Sequence, residues 1–398
     1  MSAVRLFVAV LILTAVSAAA PGNSQQYIHR PVSIAFVPGF STNGSDSREV
    51  SSNFSLNIIG GNLGQLHGVE LGSVFNLEED DVLGYQAAGA VNVLGGDFGG
   101  LQQAGALNVV GNGFAGIQQA GAVNVVGGDM FVLQQAGAVN VVGGELAGVQ
   151  QAGAANVVGG GGGVLQMAGA VNIAGQEFAG VQMAGAVNIA EGHLRGLQLS
   201  GAVNVAEEFS GAQVGVVNIC GTGRGVQLGV VNIAEEMEVP IGLVSIVENG
   251  QFHVNAWASD FSLANIGIKM GSRTVYNVFM FGCQPGGDST RLLAGLGIGG
   301  HIPLNRFFVD VDAVGHSVGR GPEWFEEGWL NLLSSLRLTG GWQLTDMLAL
   351  TAGPSLNVWV SDREDGSAIP LYDLPLFHHE GDVNVRIWPG FTVGLQLF

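Results

Sequence analysis

The densest set of side chains that could hold a metal is His378-His379-Glu380-Gly381-Asp382. Imidazoles and carboxylates are zinc ligands, but a zinc site needs three or four of them at fixed spacing. Two adjacent His residues and two acids make a weak motif. The surrounding stretch, 361–384, also contains Pro370 and Pro375 and reads as a surface loop. Glu78-Glu79-Asp80-Asp81 carries enough charge for calcium. It lacks the alternating ligands of a calcium loop and is expected to be a solvated turn. The glycines at 159–163 are not followed by Gly-Lys-Ser/Thr or by a helix start, so no phosphate cradle is read there. No Gly-x-Ser-x-Gly nucleophile elbow is expected either. His193 and Arg195 are expected in a turn between repeats, with no partner fixed by the sequence. The segment Glu323-Trp324-Phe325-Glu326-Glu327-Gly328-Trp329 mixes aromatics with acids, and interfacial anchoring is favoured there over a ligand-binding tip. The sequence therefore assigns no catalytic, cofactor-binding or metal-binding residue, and no enzyme activity or cofactor is expected.

The elements that would carry such side chains come from a repeat. GLQQAGALNVV (100–110), GIQQAGAVNVV (116–126) and VLQQAGAVNVV (132–142) recur with a sixteen-residue period, and the series runs on to GLQLSGAVNVA (196–206). Asn recurs at 92, 108, 124, 140, 156, 172, 188 and 204, then at 218 and 232. Gln recurs at 86, 102, 118, 134, 150, 166, 182 and 198, then at 213 and 227. Glu70 and Asn76 place a degenerate unit in the same register, and Ser245 lies near the Asn slot of another. Atypical end units are what a stacked array needs as caps. The mid-unit Gly disfavours helix, and the β-branched residues and Gly-rich spacers favour short strands and turns.

Two architectures fit such units. In a β-solenoid each unit is one coil stacked in parallel on the next, at about 4.8 Å per coil. In an up-and-down barrel each unit is one antiparallel strand. Antiparallel strands would meet two different kinds of turn in alternation, whereas these turns are uniform. In-register Asn and Gln can instead form amide ladders, which satisfy buried amides that would otherwise be costly. The phenylalanines of 86–234, namely Phe98, Phe114, Phe131, Phe178 and Phe209, lie in turn regions and form no girdle. The solenoid is favoured.

Composition changes near residue 250. All six Trp lie beyond it, and apolar and polar residues alternate with period two. Leu336, Leu338, Trp342 and Leu344 alternate with Ser335, Arg337, Thr339 and Gln343; Phe307, Val309 and Val311 alternate with Phe308, Asp310 and Asp312. About eight such runs fit the smallest membrane barrel, with a water-soluble β-sandwich or a continued solenoid sheet as alternatives. Trp257, Trp342, Trp359 and Trp388 are expected in interfacial belts. Asp310 and Asp312 should point into a narrow lumen and meet Arg337 or Arg386, because unpaired buried charge is costly. Phe398 falls on the polar face of its strand, out of phase with Leu397, Leu395 and Val393.

The net charge of −19 and the single Lys, Lys269, argue against a nucleic-acid partner. Arg5, the apolar stretch from Leu6 to Val16 and Ser17-Ala18-Ala19 read as a secretory signal. Cys220 takes a slot held by Ala or Val in the sister units and is read as a small core residue; a disulfide with Cys283 is left open. The expected organisation is a signal peptide at 1–19, a lead-in at 20–53, a repeat β-solenoid at 54–250 and a C-terminal antiparallel β-barrel or barrel-like sheet at 251–398.

The GxQxAGAVNVx units and the closing Val-Pro-Ile-Gly-Leu-Val-Ser (239–245) resemble the bacterial surface-repeat-containing protein family over about residues 54–250. That resemblance implies a cell-surface or outer-envelope location and no catalytic residues. The expected function is a non-enzymatic surface scaffold whose partners are outer-membrane or envelope components. Its alternatives are a pore in which the repeats are membrane strands and, third, a polysaccharide-acting enzyme. The enzyme would need an acid pair that the repeat faces do not offer.

Overall fold

The computed structural model describes residues 26–285, 290–320, 331–362 and 375–398. The chain is a β-solenoid of about 12 turns and a closed eight-stranded antiparallel barrel. It divides into two compact units, 1–219 and 220–398, so the last coils belong to the same unit as the barrel. The expected signal, residues 1–19, lies outside the described residues.

Each full coil has a seven-residue strand, a corner at Gly-Ala, a four-residue strand and a Gly-rich turn. Phe98–Ala104 pairs in parallel with Phe114–Ala120, and Leu107–Val110 with Val123–Val126. The register is fixed residue on residue, with Gln102 beside Gln118 and Asn108 beside Asn124. Neighbouring coils thus bury matching columns: Phe98 stacks on Phe114 with ring centroids 4.9 Å apart, and Val110 is buried with Val126 and Val142. The corner glycine is obligatory, because a Cβ on Gly121 would lie 2.0 Å from the carbonyl oxygen of Gly105. Val32–Val37, Phe40–Ser41 and the 3-10 turn Gly44–Glu49 precede the first coils, and Val32–Val37 pairs in parallel with Val50–Asn57. The antiparallel alternative for the repeats is not adopted. Parallel stacking alone lets one amide of each coil face the same amide of the next.

The barrel starts at Gln251–Ser259 and closes when that strand pairs with Asn384–Leu397. Its side chains alternate strictly. Leu336, Leu338 and Trp342 are exposed on the outside, whereas Ser335, Arg337 and Thr339 are buried inside. In the second unit, Ser272 Oγ and Thr274 Oγ1 donate to the Glu238 carbonyl at 2.8 and 3.0 Å, and Asn277 Nδ2 donates to that of Gly242 at 2.6 Å. The last coils are therefore bonded to the 272–274 turn of the barrel.

Candidate functional site

The barrel lumen holds the chemistry-bearing side chains that the fold brings together. Lys269 Nζ lies 2.6 Å from Asp310 Oδ2 and 4.0 Å from Asp312 Oδ2. Arg337 donates to Asp312 Oδ2 at 2.9 Å, and His301 Nδ1 meets Asp310 Oδ1 at 2.7 Å. The Tyr276 hydroxyl also bonds Asp312. Two cations thus face two carboxylates, a balance that buried charge requires. The expected pairing holds for Asp312 with Arg337. For Asp310 it needs correction: its partners are Lys269 and His301, not Arg386. Strand phase placed Arg386 on the inner face, where it is buried. Phase alone gave no height along the lumen, and height decides which cation reaches Asp310.

A second lumen cluster centres on Asp260, which accepts from Trp388 Nε1 at 2.6 Å, Asn357 Nδ2 at 3.3 Å and the Phe391 amide at 3.1 Å. Phe261, Leu293, Val318, Leu333, Trp359 and Trp388 pack beside it. The expected aromatic belt is corrected here. Trp359 and Trp388 are lumen residues, in phase with the inward Asn357 and Arg386. Trp257 is part-buried, with the Arg337 guanidinium 5.0 Å from its ring centroid. Only Trp342 of these four is 50 % exposed on the outer wall. Phe398 packs edge-on to His253 and Phe308, as its inward phase requires. The cavity bounded by Lys269, Asp312 and Arg337 is about 30 Å³, room for a single water. At this level the lumen is filled by side chains.

In the solenoid, two amide ladders run through the core. Asn92 Nδ2 donates to Asn108 Oδ1 at 2.9 Å, and each following Asn donates toward the next coil. Gln102 Nε2 donates to Gln86 Oε1 at 2.8 Å, and each following Gln donates toward the preceding coil. The two rows of amide dipoles point in opposite directions and offset each other. At the first coils the Gln row ends on acids, with Gln86 Nε2 donating to Glu70 Oε2 at 3.0 Å and also to Glu78. Glu70 further accepts from Asn57 at 2.8 Å. Burial, and then the neighbouring Glu70, push the Glu78 carboxyl well above its ordinary range.

The expectation of a solvated turn at 78–81 is therefore corrected for Glu78, which lies in the core column of Leu94 and Val110. The register showed this: Glu78 follows Asn76 by two, as Leu94 follows Asn92. Glu79 pairs with Arg48 at 3.1 Å, and Asp81 accepts from the Asp97 amide at 2.8 Å. Outside the core, Gln103, Gln119, Gln135 and Gln151 form a half-buried third ladder. Along it runs an open trough of about 1210 Å³, floored by Ala and Gly and continued by Met167 and Met183.

The remaining candidates stay apart. His193 and Arg195 lie in the strand Val187–Ser200, not in a turn, and reach Ser210 at 3.1 Å and Glu177 at 3.1 Å on neighbouring coils. His378 and His379 sit on the exposed short strand Phe377–His379, with His378 3.5 Å from Glu380. No group of three or more metal ligands occurs among the described residues. The residues 159–163 are coil backbone, and 323–329 lie outside the described residues. Cys220 and Cys283 are both free thiols, and burial pushes that of Cys220 up to about 12. The expectation that no Gly-x-Ser-x-Gly run occurs needs correction, because Gly315-His316-Ser317-Val318-Gly319 is one. It lies inside the strand Phe307–Arg320, and His316 is buried while Ser317 is exposed. The two side chains occupy opposite faces, so this is not a nucleophile elbow.

No family model, no curated protein and no solved structure matches the chain.

Proposed function

We propose that this is an exported, non-enzymatic outer-envelope protein: the barrel is its outer-membrane anchor and the repeat array a rigid scaffold. One observation carries the reading, the reversed polarity of the barrel. Ile266, Leu296, Leu336, Leu338, Phe391 and Val393 are more than 48 % exposed on its outside while Lys269, Asp310, Asp312 and Arg337 are buried inside. In water that arrangement exposes what should be buried, and in a bilayer it satisfies both faces. The resemblance of the repeats to the surface-repeat-containing family supports the same envelope location.

Strand parity supports an orientation. Eight strands return the chain to the end where it entered, and that end carries the brief turns 272–274, 305–306 and 346–347. The longer connections, 321–330 and 362–376, are at the other end. Short turns of outer-membrane barrels face the periplasm. The last coils, which lead into the barrel at 248–250, would then leave it on the periplasmic side.

Membrane fractionation and heat-modifiability of the full chain test the anchor. We expect outer-membrane fractionation and a gel shift on heating; a fully soluble chain without detergent would falsify it. External protease on intact cells tests orientation, with the repeats expected to be protected. The pore alternative needs the repeats as antiparallel membrane strands, whereas they stack in parallel, and planar-bilayer recordings are expected to show no conductance.

A further inference from the structure

On the outer wall, near the short turns, the barrel has a notch of about 520 Å³ lined by Phe307, Val309, Gly340, Trp342, Ala352 and Val393. Its shape follows from strand register. Phe307, Trp342 and Leu350 form one row across three strands, with Phe307 and Trp342 stacked 6.4 Å apart. The next outward row is Val309, Gly340 and Ala352. Small residues follow large ones, and the wall is hollow there. A Cβ on Gly340 would meet only the Ala352 carbonyl at 3.7 Å, so a side chain at 340 would fill the hollow without collision. Gly341 is different: its Cβ would strike the Phe308 ring inside the barrel.

The residue before Phe307 is Arg306, in the turn. It is exposed, and its guanidinium pairs with no acid among the described residues. A cation at the turn, an aromatic row beneath it and an apolar hollow beneath that match, in order, a phosphate, an interfacial zone and an acyl chain. We propose that this notch is a phospholipid site, with one acyl chain lying over Gly340 and the phosphate on Arg306. Net anionic headgroups are preferred, since a zwitterionic one brings its own competing cation. The proposal rests on the membrane reading of the barrel.

Trp342 supplies the readout. The other Trp residues within described strands face the lumen, so replacing Trp324 and Trp329 by Phe leaves Trp342 as the wall-facing indole. The full-length protein is reconstituted in phosphatidylcholine vesicles containing a small fraction of chain-brominated phosphatidylglycerol or chain-brominated phosphatidylcholine, and Trp342 quenching is measured. We expect brominated phosphatidylglycerol to compete for the site about five-fold better, the effect of one basic residue at a membrane surface. Arg306→Gln should abolish that preference and leave the barrel heat-modifiable. Gly340→Leu should lower quenching by both lipids. Equal quenching by both headgroups, unchanged in Arg306→Gln, would mean ordinary surrounding lipid and would overturn the site while leaving the anchor intact. Protein that neither floats with vesicles nor is quenched would overturn the site together with the membrane reading.

Discussion

The solenoid and the barrel bury comparable polar loads in opposite ways. In the regular coils of the solenoid the inward polar groups are neutral amides, and each is satisfied by its copy one coil away. In the barrel they are charged and unlike, and each has its own partner: Lys269 for Asp310, Arg337 for Asp312, Trp388 for Asp260. Parallel stacking makes the first solution available, because register puts like on like. A closed antiparallel lumen has no such translation, so buried charge there must be matched pair by pair. The first solution is extensible and tolerates added coils; the second is local and fails when one member is lost.

The largest effect should come from the barrel. Asp312→Ala removes the acceptor of Arg337 and Tyr276 and leaves the Arg337 guanidinium buried without its carboxylate. We expect a loss of about 3–5 kcal/mol, the usual cost of breaking one partner of a buried pair. Urea titration followed by the heat-modifiability gel shift measures it; a loss under about 1 kcal/mol would mean water reaches the pair. A mid-ladder break in the solenoid should cost less. Asn140→Leu deprives the Asn156 side-chain oxygen and the Gln151 carbonyl of their donor. At about 1–2 kcal/mol for each of the two orphaned neutral acceptors, the expected cost is about 2–4 kcal/mol. Gln135→Leu, in the half-buried outer ladder, should cost under about 1 kcal/mol, because water replaces the lost bond. Equal costs for Asn140 and Gln135 would remove the distinction between core and surface ladders.

The same contrast governs what could be read from sequence. The sixteen-residue recurrence of Gln102 and Asn108 fixes parallel register and hence the ladders, so the solenoid is legible from spacing alone. Period-two alternation likewise separates Asp310 and Asp312 from Val309 and Val311. Lys269 was not legible as the partner of Asp310. Which inward residues share a height depends on the shear of the closed barrel, and no local pattern carries that. The inward placement of Trp359 and Trp388 is missed for a related reason: residue type suggests a belt, while their phase with Asn357 and Arg386 places them inside. The phospholipid notch also depends on three strands aligning Val309, Gly340 and Ala352, a relation between distant segments.

Glu78 sharpens the comparison, since it is an acid in the solenoid core with no cation opposite it among the described residues. Burial and Glu70 raise its pKa above the unfolded value. A raised carboxyl favours the folded state while protonated, so its contribution is fully present below the ordinary Glu range near pH 4.5. It is lost as pH rises through the higher folded value. Glu78→Gln should therefore stabilise the protein at neutral pH, by about 1–3 kcal/mol. The gain should shrink to nothing below about pH 4, where Glu78 is protonated in both states. Melting curves of both proteins across that range decide it. A gain that persists undiminished in acid would mean that the effect is packing and not protonation.

The smallest effect tests backbone strain in the repeat. At the slot where Gly84, Gly100, Gly116 and Gly148 take positive φ, two coils have valine, Val132 at φ 92° and Val164 at φ 137°. A β-branched residue in that region carries about 1–3 kcal/mol of strain. Val132 is 55 % exposed, so its side chain contributes little burial to offset this. Glycine relieves the strain but costs about 0.5–1 kcal/mol in unfolded-chain entropy. Val132→Gly should thus stabilise by about 1 kcal/mol, seen as a small rise in urea midpoint, whereas Val126→Gly, in the buried column, should destabilise. The barrel offers no equivalent gain: its positive-φ non-glycine among the described residues is Asn305 at 60°, in a turn, a conformation Asn adopts readily. A loss of stability in Val132→Gly would show that Val132 supports the stack from outside, and that the uniformity of the coils is more than a matter of backbone register.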